Sequence, residues 1–213
     1  PGYIPEELIL THNVKTGKRY PHQVGVDFAK HEDYSVLAIW RIEKWKTDVG
    51  EVEVQRLVFK KQWMRECDYP EEKQKEVKVY DEVIEFLKHV NQSFEISTGC
   101  ADQTAVGEAI IEQIEKFMPQ LKGVVFSDKS KQDMETYGRM RMEQKKVIIP
   151  SWDSDLIGQL NEQQYELSGD KILFSHPKDR HDDQHWASVL GIYSTKVEES
   201  APSEGGIYVG PKK

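Results

Sequence analysis

Three β-rich runs follow one another early in the chain with only short turns between them, and everything after Pro70 alternates helix-like with strand-like segments. This order constrains the fold more than any other feature. His22 to Ala29 is a short apolar run interrupted by one Asp, Tyr34 to Ile42 is a second run, and Glu51 to Trp63 alternates as a third. His31-Glu32-Asp33 and Thr47-Asp48-Val49-Gly50 supply the turn chemistry between them. Strands linked so closely are expected to pair as an antiparallel meander.

From Pro70 to about Val90, apolar Val83, Phe86, Leu87 and Val90 recur at helical spacing, with the proline well placed near the first turn. Phe94 to Ala101 reads as a strand, Thr104 to Met118 as a helix, Leu121 to Ser127 as a strand and Lys129 to Gln144 as a charged helix. Lys146 to Ile149 is a strand stopped by Pro150, and Trp152 to about Gln164 is a helix. Tyr165 to Ser175 forms a hairpin turned at Gly169-Asp170, and His181 to Tyr193 is a closing helix. Such alternation implies parallel strands joined by crossovers. The expected fold class is therefore α/β, a mixed sheet of meander and parallel strands flanked by helices on both faces. Residues 1–21 are expected to be a lead-in, 22–196 the folded domain, and 197–213, rich in Ser, Pro and Gly, a flexible tail.

A chain of 213 residues buries one core without disulfides or a structural metal. Cys67 and Cys100 form no CxxC pair, which argues against a thiolate zinc site and for two reduced thiols inside a cell. No apolar run reaches the roughly 18 residues of a membrane span. The net charge of −8 argues against broad polyanion binding, although acids gathered to hold cations inflate that tally. Beginning at Pro1 without Met, the chain reads as a piece of something longer.

Charged residues are least expected inside sheet strands, and Asp27 sits inside the first one, between Val26 and Phe28. A buried carboxylate there needs a cation, a donor or water. Asp102 follows the strand ending at Ala101, and Asp182 and Asp183 open the last helix. Strand C-termini and helix starts gather at one edge of an α/β sheet, where ligand crevices form. Taken alone, Asp102 reads first as a helix cap, and Asp182 or Asp183 as helix-start acids favoured by the dipole, but neither reading accounts for Asp27. Three such acids suit hard cations, and a pair of Mg2+ or Mn2+ ions about 3.5–4 Å apart is what phosphodiester hydrolysis uses to activate water and stabilise the leaving oxygen.

The run Val24-Gly25-Val26-Asp27-Phe28-Ala29, with Asp33-Tyr34-Ser35-Val36 after it, resembles the first-acid motif of the nuclease domains of viral terminase large subunits, which are RNase H-like. Cys100-Ala101-Asp102-Gln103-Thr104-Ala105-Val106-Gly107 is similar to the second-acid motif of that family, and His181-Asp182-Asp183-Gln184-His185-Trp186-Ala187 to the third. Lys131, Met134 and the run Lys146 to Pro150 resemble a segment common between them. Many relatives place a further Asp where this chain has Trp186, so the third ligand role falls to Asp183, with Asp182 and Asp33 in second rank.

The resemblance implies a metal-dependent endonuclease that cuts double-stranded, concatemeric DNA during viral genome packaging, with Asp27, Asp102 and Asp183 holding two ions. It implies as partners a packaging ATPase domain, a portal protein and a small terminase subunit, in the host cytoplasm and away from membranes. No GxxxxGK[ST] loop of an ATPase occurs in the chain. Lys178 and Arg180 stand beside the last acids as phosphate contacts, with Lys131, Arg139 and Arg141 as a basic track and His181 as an auxiliary group.

Other readings stay open. His181 and His185 are spaced like the pair of an HExxH zinc protease, with Asp182 where Glu is required. A sugar-kinase or actin-like nucleotide binder begins with an Asp-bearing strand, but Phe28-Ala29-Lys30 lacks its phosphate turn. A Holliday-junction resolvase would share the three-acid chemistry. A module that docks DNA or the packaging motor would keep the acids for structure alone.

Overall fold

The computed structural model describes residues 18–29, 32–74, 78–168, 171–175 and 181–200. Strands β1 (Pro21–Asp27), β2 (Val36–Thr47) and β3 (Gly50–Gln62) form the expected meander. Helices α1 (Glu71–Gln74) and α2 (Val79–Ser93) precede β4 (Glu95–Asp102), which pairs parallel with β1. The helix expected to run unbroken from Pro70 is thus described as two pieces, with 75–77 outside the described residues.

The helix expected over 104–118 is also two, α3 (Gln103–Val106) and α4 (Glu108–Glu115). Gly107 separates them at φ 80°, a left-handed conformation that stops α3 and re-aims the chain. Beyond them come β5 (Leu121–Val124), α5 (Asp128–Glu143), β6 (Val147–Ile148), α6 (Ser154–Glu162), β7 (Gln164–Ser168), β8 (Lys171–Ser175) and α7 (Asp183–Ser200). Strands β7 and β8 form the predicted antiparallel hairpin, whose turn at Gly169-Asp170 lies outside the described residues.

The six-stranded sheet has the order β5-β4-β1-β2-β3-β6, antiparallel across the meander and parallel elsewhere. It is the mixed α/β sheet anticipated for an RNase H-like chain. Because side chains alternate along a strand, Val24 and Val26 join the core under α2 and α4, while Val36, Ala38 and Trp40 of β2 meet α6 and α7 on the other face. Cys100 packs there with Met134, Trp186, Val189 and Leu190.

Helix α7 crosses β1 at backbone contact. A Cβ added to Gly25 would lie 2.9 Å from Gly191 Cα and nearer still to Ala187 O and Gly191 N. One added to Gly191 would meet the Trp40 indole at 2.5 and 2.6 Å. A buried polar chain pins the far end of the same helix. Gln23 Nε2 donates to Thr195 Oγ1 (2.7 Å), Gln55 Nε2 to Gln23 Oε1 (2.6 Å), and Arg141 Nε to Gln55 Oε1 (3.0 Å). Helix α7 continues to Ser200, past the expected end at Tyr193 and into the segment 197–213 expected to be a flexible tail, and the bond at Thr195 holds it to the sheet beyond Tyr193. The lead-in 1–17 and residues 201–213 lie outside the described residues.

Candidate active site

Val26 of β1 stands opposite Ala101 of β4, so the residues that follow, Asp27 and Asp102, end adjacent parallel strands at one sheet edge. Period-two alternation turns Asp27 to the face of Gln23 and Gly25, the face that α7 covers. The same alternation places Asp102 with Cys100 on that face. Helix α7 runs opposite to β1, with Thr195 on Gln23 and Ala187 on Gly25. Four helical residues back from Ala187 advance about 6 Å, and two strand residues on from Gly25 advance about 6.6 Å. That near-equality delivers Asp183 to Asp27. Asp27, Asp102 and Asp183 are 8, 6 and 8% exposed.

Burial, reinforced by the charges of Asp183, Asp102 and Asp182, pushes the Asp27 carboxyl well above its usual range; Lys131 opposes the shift. Burial also raises Asp102, against hydrogen bonds from Thr104 and the Lys131 charge. Asp183 is pushed up to about 7 by burial and then by Asp33 and Asp182. Groups that resist ionisation for these reasons gain most from a cation.

Asp102 Oδ1 accepts from the Thr104 amide at 2.8 Å, so the capping role is real and coexists with a place among the acids. Asp183 Oδ2 is buried without a hydrogen-bond partner among the described residues, and His181 Nδ1 stands 3.7 Å from it. An orphaned carboxylate oxygen beside two further acids is a donor set suited to Mg2+ or Mn2+. Among the described residues, no group of three or more His, Cys, Asp or Glu side chains is placed so that it could hold a metal ion.

Asp182 accepts from Trp186 Nε1 (2.8 Å) and Gln163 Nε2 (3.4 Å). Exposed Asp33 lies 4.0 Å from His181 Nδ1. The two histidines of the zinc reading are divided between partners: His181 faces Asp183, Asp33 and the Tyr34 ring, whereas the buried His185 Nε2 is paired with Glu135.

The basic track is split as well. Lys131 lies over the Phe126 and Trp186 rings at 5.3 and 4.8 Å, near Asp27 and Asp102. Arg139 is exposed and lies over the Tyr165 ring. Arg141, expected to contact DNA, is instead buried, because its guanidinium turns inward to Gln55 Oε1 and the Glu53 carbonyl. Lys178 and Arg180 lie outside the described residues. Tyr34, Phe126 and Trp186 around the acids were not anticipated as site residues. Tyr34 and Phe126 are half-buried beside them, while Trp186 belongs to the core itself.

No protein-family model and no curated protein matches the chain. Solved structures do. The large terminase nuclease of thermophilic phage G20c with bound magnesium matches with a TM-score of 0.60 at 17% identity, over 85% of this chain and 83% of that one. The same nuclease with bound cobalt gives 0.57 at 15%, over 81% and 80%. The large terminase of bacteriophage HK97 gives 0.55 at 13%, over 88% of this chain and 41% of that one. With its mixed sheet and its strand-end acids, the chain has the fold of the phage large-terminase nucleases.

Proposed function

We propose that the chain is a divalent-metal-dependent endonuclease that cuts double-stranded DNA, in the role of a nuclease trimming concatemeric viral genomes during packaging. The observation that carries this reading is the convergence of Asp27, Asp102 and Asp183, far apart in sequence, at one buried edge of this fold. The magnesium and cobalt bound to the G20c nuclease support divalent-metal use here.

Asp27 and Asp183 would face a pair of Mg2+ or Mn2+ ions from β1 and α7, with Asp102 completing the set through the oxygen opposite its cap. Asp182 and Asp33 are outer partners that orient rather than bind. Such ions, when bound, supply Lewis-acid charge for activating water and stabilising the leaving oxygen. Lys178 and Arg180 remain proposed phosphate contacts, with Arg139 at the periphery, and His181 orients Asp183. The proposed setting is the host cytoplasm, with a packaging ATPase domain, a portal protein and a small terminase subunit as partners.

Plasmid cleavage tests this directly. Wild type with Mn2+ or Mg2+ nicks and linearises supercoiled plasmid, EDTA stops it, and Asp27→Ala is inactive while folded. Cleavage that survives chelation, or survives Asp27→Ala, ends the proposal. A marked preference for four-way junctions over plain duplex would convert it to a resolvase.

A further inference from the structure

Lys131 is held by rings that are themselves tied to the acids. Phe126 beneath it donates its backbone amide to Thr104 Oγ1 (2.7 Å), and the Thr104 amide is the group that caps Asp102. Trp186, the second ring, donates Nε1 to Asp182, the neighbour of Asp183. Phe126 and Trp186 also pack on each other, with ring centroids 5.2 Å apart. Of the two rings under Lys131, Trp186 belongs to the helix that carries the third acid, and Phe126 is bonded to the residue that caps the second. An ammonium over aromatic faces is attracted by their electron-rich surfaces and gives up little of its charge. Arg139 on the same helix is exposed and Arg141 is buried in the polar core, so neither offers a cation placed this way.

We propose that Lys131 is a catalytic residue of this site, contacting the scissile phosphodiester and supplying positive charge to the oxygens of the phosphorus as water attacks. This rests on the nuclease reading above. In the step concerned, the oxygen of water bonds to phosphorus, the bond from phosphorus to the leaving sugar oxygen breaks, and the proton lost by water passes to solvent. The leaving oxygen takes up a proton from solvent. Lys131 transfers none; it stabilises charge that grows in the transition state, where a placed donor is worth more than in the ground state.

The test compares wild type, Lys131→Gln and Lys131→Arg in single-turnover cleavage of a duplex at saturating protein. The half-saturating Mg2+ concentration, the duplex Kd in EDTA and the Tm are measured alongside. The expected result is a fall of about 100-fold in the cleavage rate constant for Lys131→Gln, with a duplex Kd within about threefold and an unchanged Tm. Lys131→Arg should restore part of the rate, since it returns a cation to the rings.

An unchanged rate constant with a weakened Kd, and a salt slope shallower by about 1, would make Lys131 a general DNA anchor and overturn the proposal. Tighter Mg2+ dependence with an unchanged rate at saturating metal would make it only a counter-ion of the acids, and would overturn it too. If wild type itself fails to cleave with either metal, the nuclease reading falls and takes this inference with it. If wild type cleaves and Lys131→Gln matches it, this inference alone falls.

Discussion

Gly25→Ala moves α7 without touching an acid. The new methyl carbon would lie 2.9 Å from Gly191 Cα and closer to Ala187 O and Gly191 N, all of them backbone atoms that no rotamer change relieves. Carbon–carbon contact needs about 3.5–4.0 Å, so the helix must withdraw by about 1 Å or the strand must bend to match. Overpacking of this kind costs about 1–3 kcal/mol. Asp183 lies one turn from the contact and withdraws with the helix, while Asp27 stays on the strand. A displacement of about 1 Å at a reacting centre costs about 100-fold in rate.

Thermal denaturation and Mn2+-dependent plasmid cleavage, run on the same preparation, read both effects. The expected outcome is a folded protein with a lower Tm and cleavage reduced on the order of 100-fold. Gly158→Ala in α6, where nothing lies within 4 Å of the added carbon, is the control and should gain about 0.5–1 kcal/mol at unchanged activity. Wild-type cleavage and Tm in Gly25→Ala would refute the claim that this contact sets the acid spacing.

Three further outcomes are expected. Burial and the nearby Arg41 charge lower His22 from 6.5 to about 4, so its share of stability is intact above 6.5 and is lost as pH falls toward 4. That share is about 3 kcal/mol; chemical denaturation at pH 7 and pH 4.5 should show the drop, and His22→Phe should flatten it. Asp183, raised from 3.8 to about 7, acts in the opposite sense, its penalty growing as pH rises through that window. In EDTA, Asp183→Asn should therefore be more stable than wild type at pH 8, by up to roughly 4 kcal/mol, equal to it near pH 3.5, and inactive in cleavage; equal stability at both pH values would contradict this. Arg141→Ala should lose about 2–3 kcal/mol of stability by stranding Gln55, with duplex Kd unchanged; a weakened Kd at unchanged Tm would return Arg141 to the DNA-binding surface.

The first acid was legible because a carboxylate in an apolar strand has no local excuse, and β1 ends on it. The second and third were legible only in combination, since each is also a good helix-start residue. Their meeting depends on strand pairing and on a helix laid across β1, which are long-range facts. The break at Gly107 was hidden by apolar residues that keep helical spacing on both sides of it. Arg141 was misread because its partner, Gln55, lies 86 positions away, and a helix full of charges reads as solvated. Gln23 offered an overlooked signal: it shares the two-residue period of Gly25 and Asp27, so from Gln23 onward one face of β1 carries only polar or small residues. A strand in the middle of a sheet has such a face only when something particular lies on it.

The Gln23–Gln55–Arg141–Thr195 chain has a bearing on how α7 tolerates change. Greasy surfaces slide; directional bonds do not. A slip of one turn would strand several polar groups in a dry layer, each costing about 1–3 kcal/mol, whereas an apolar seam would repack at small cost. The helix is therefore latched at its C-terminal half and carries its acid at the opposite end, like a lever whose fulcrum is the glycine contact. The latch at Thr195 lies some 18 Å of helix away from Asp183 by the rise of about 1.5 Å per residue, so one end of α7 is held by directional bonds while the other presents the acid.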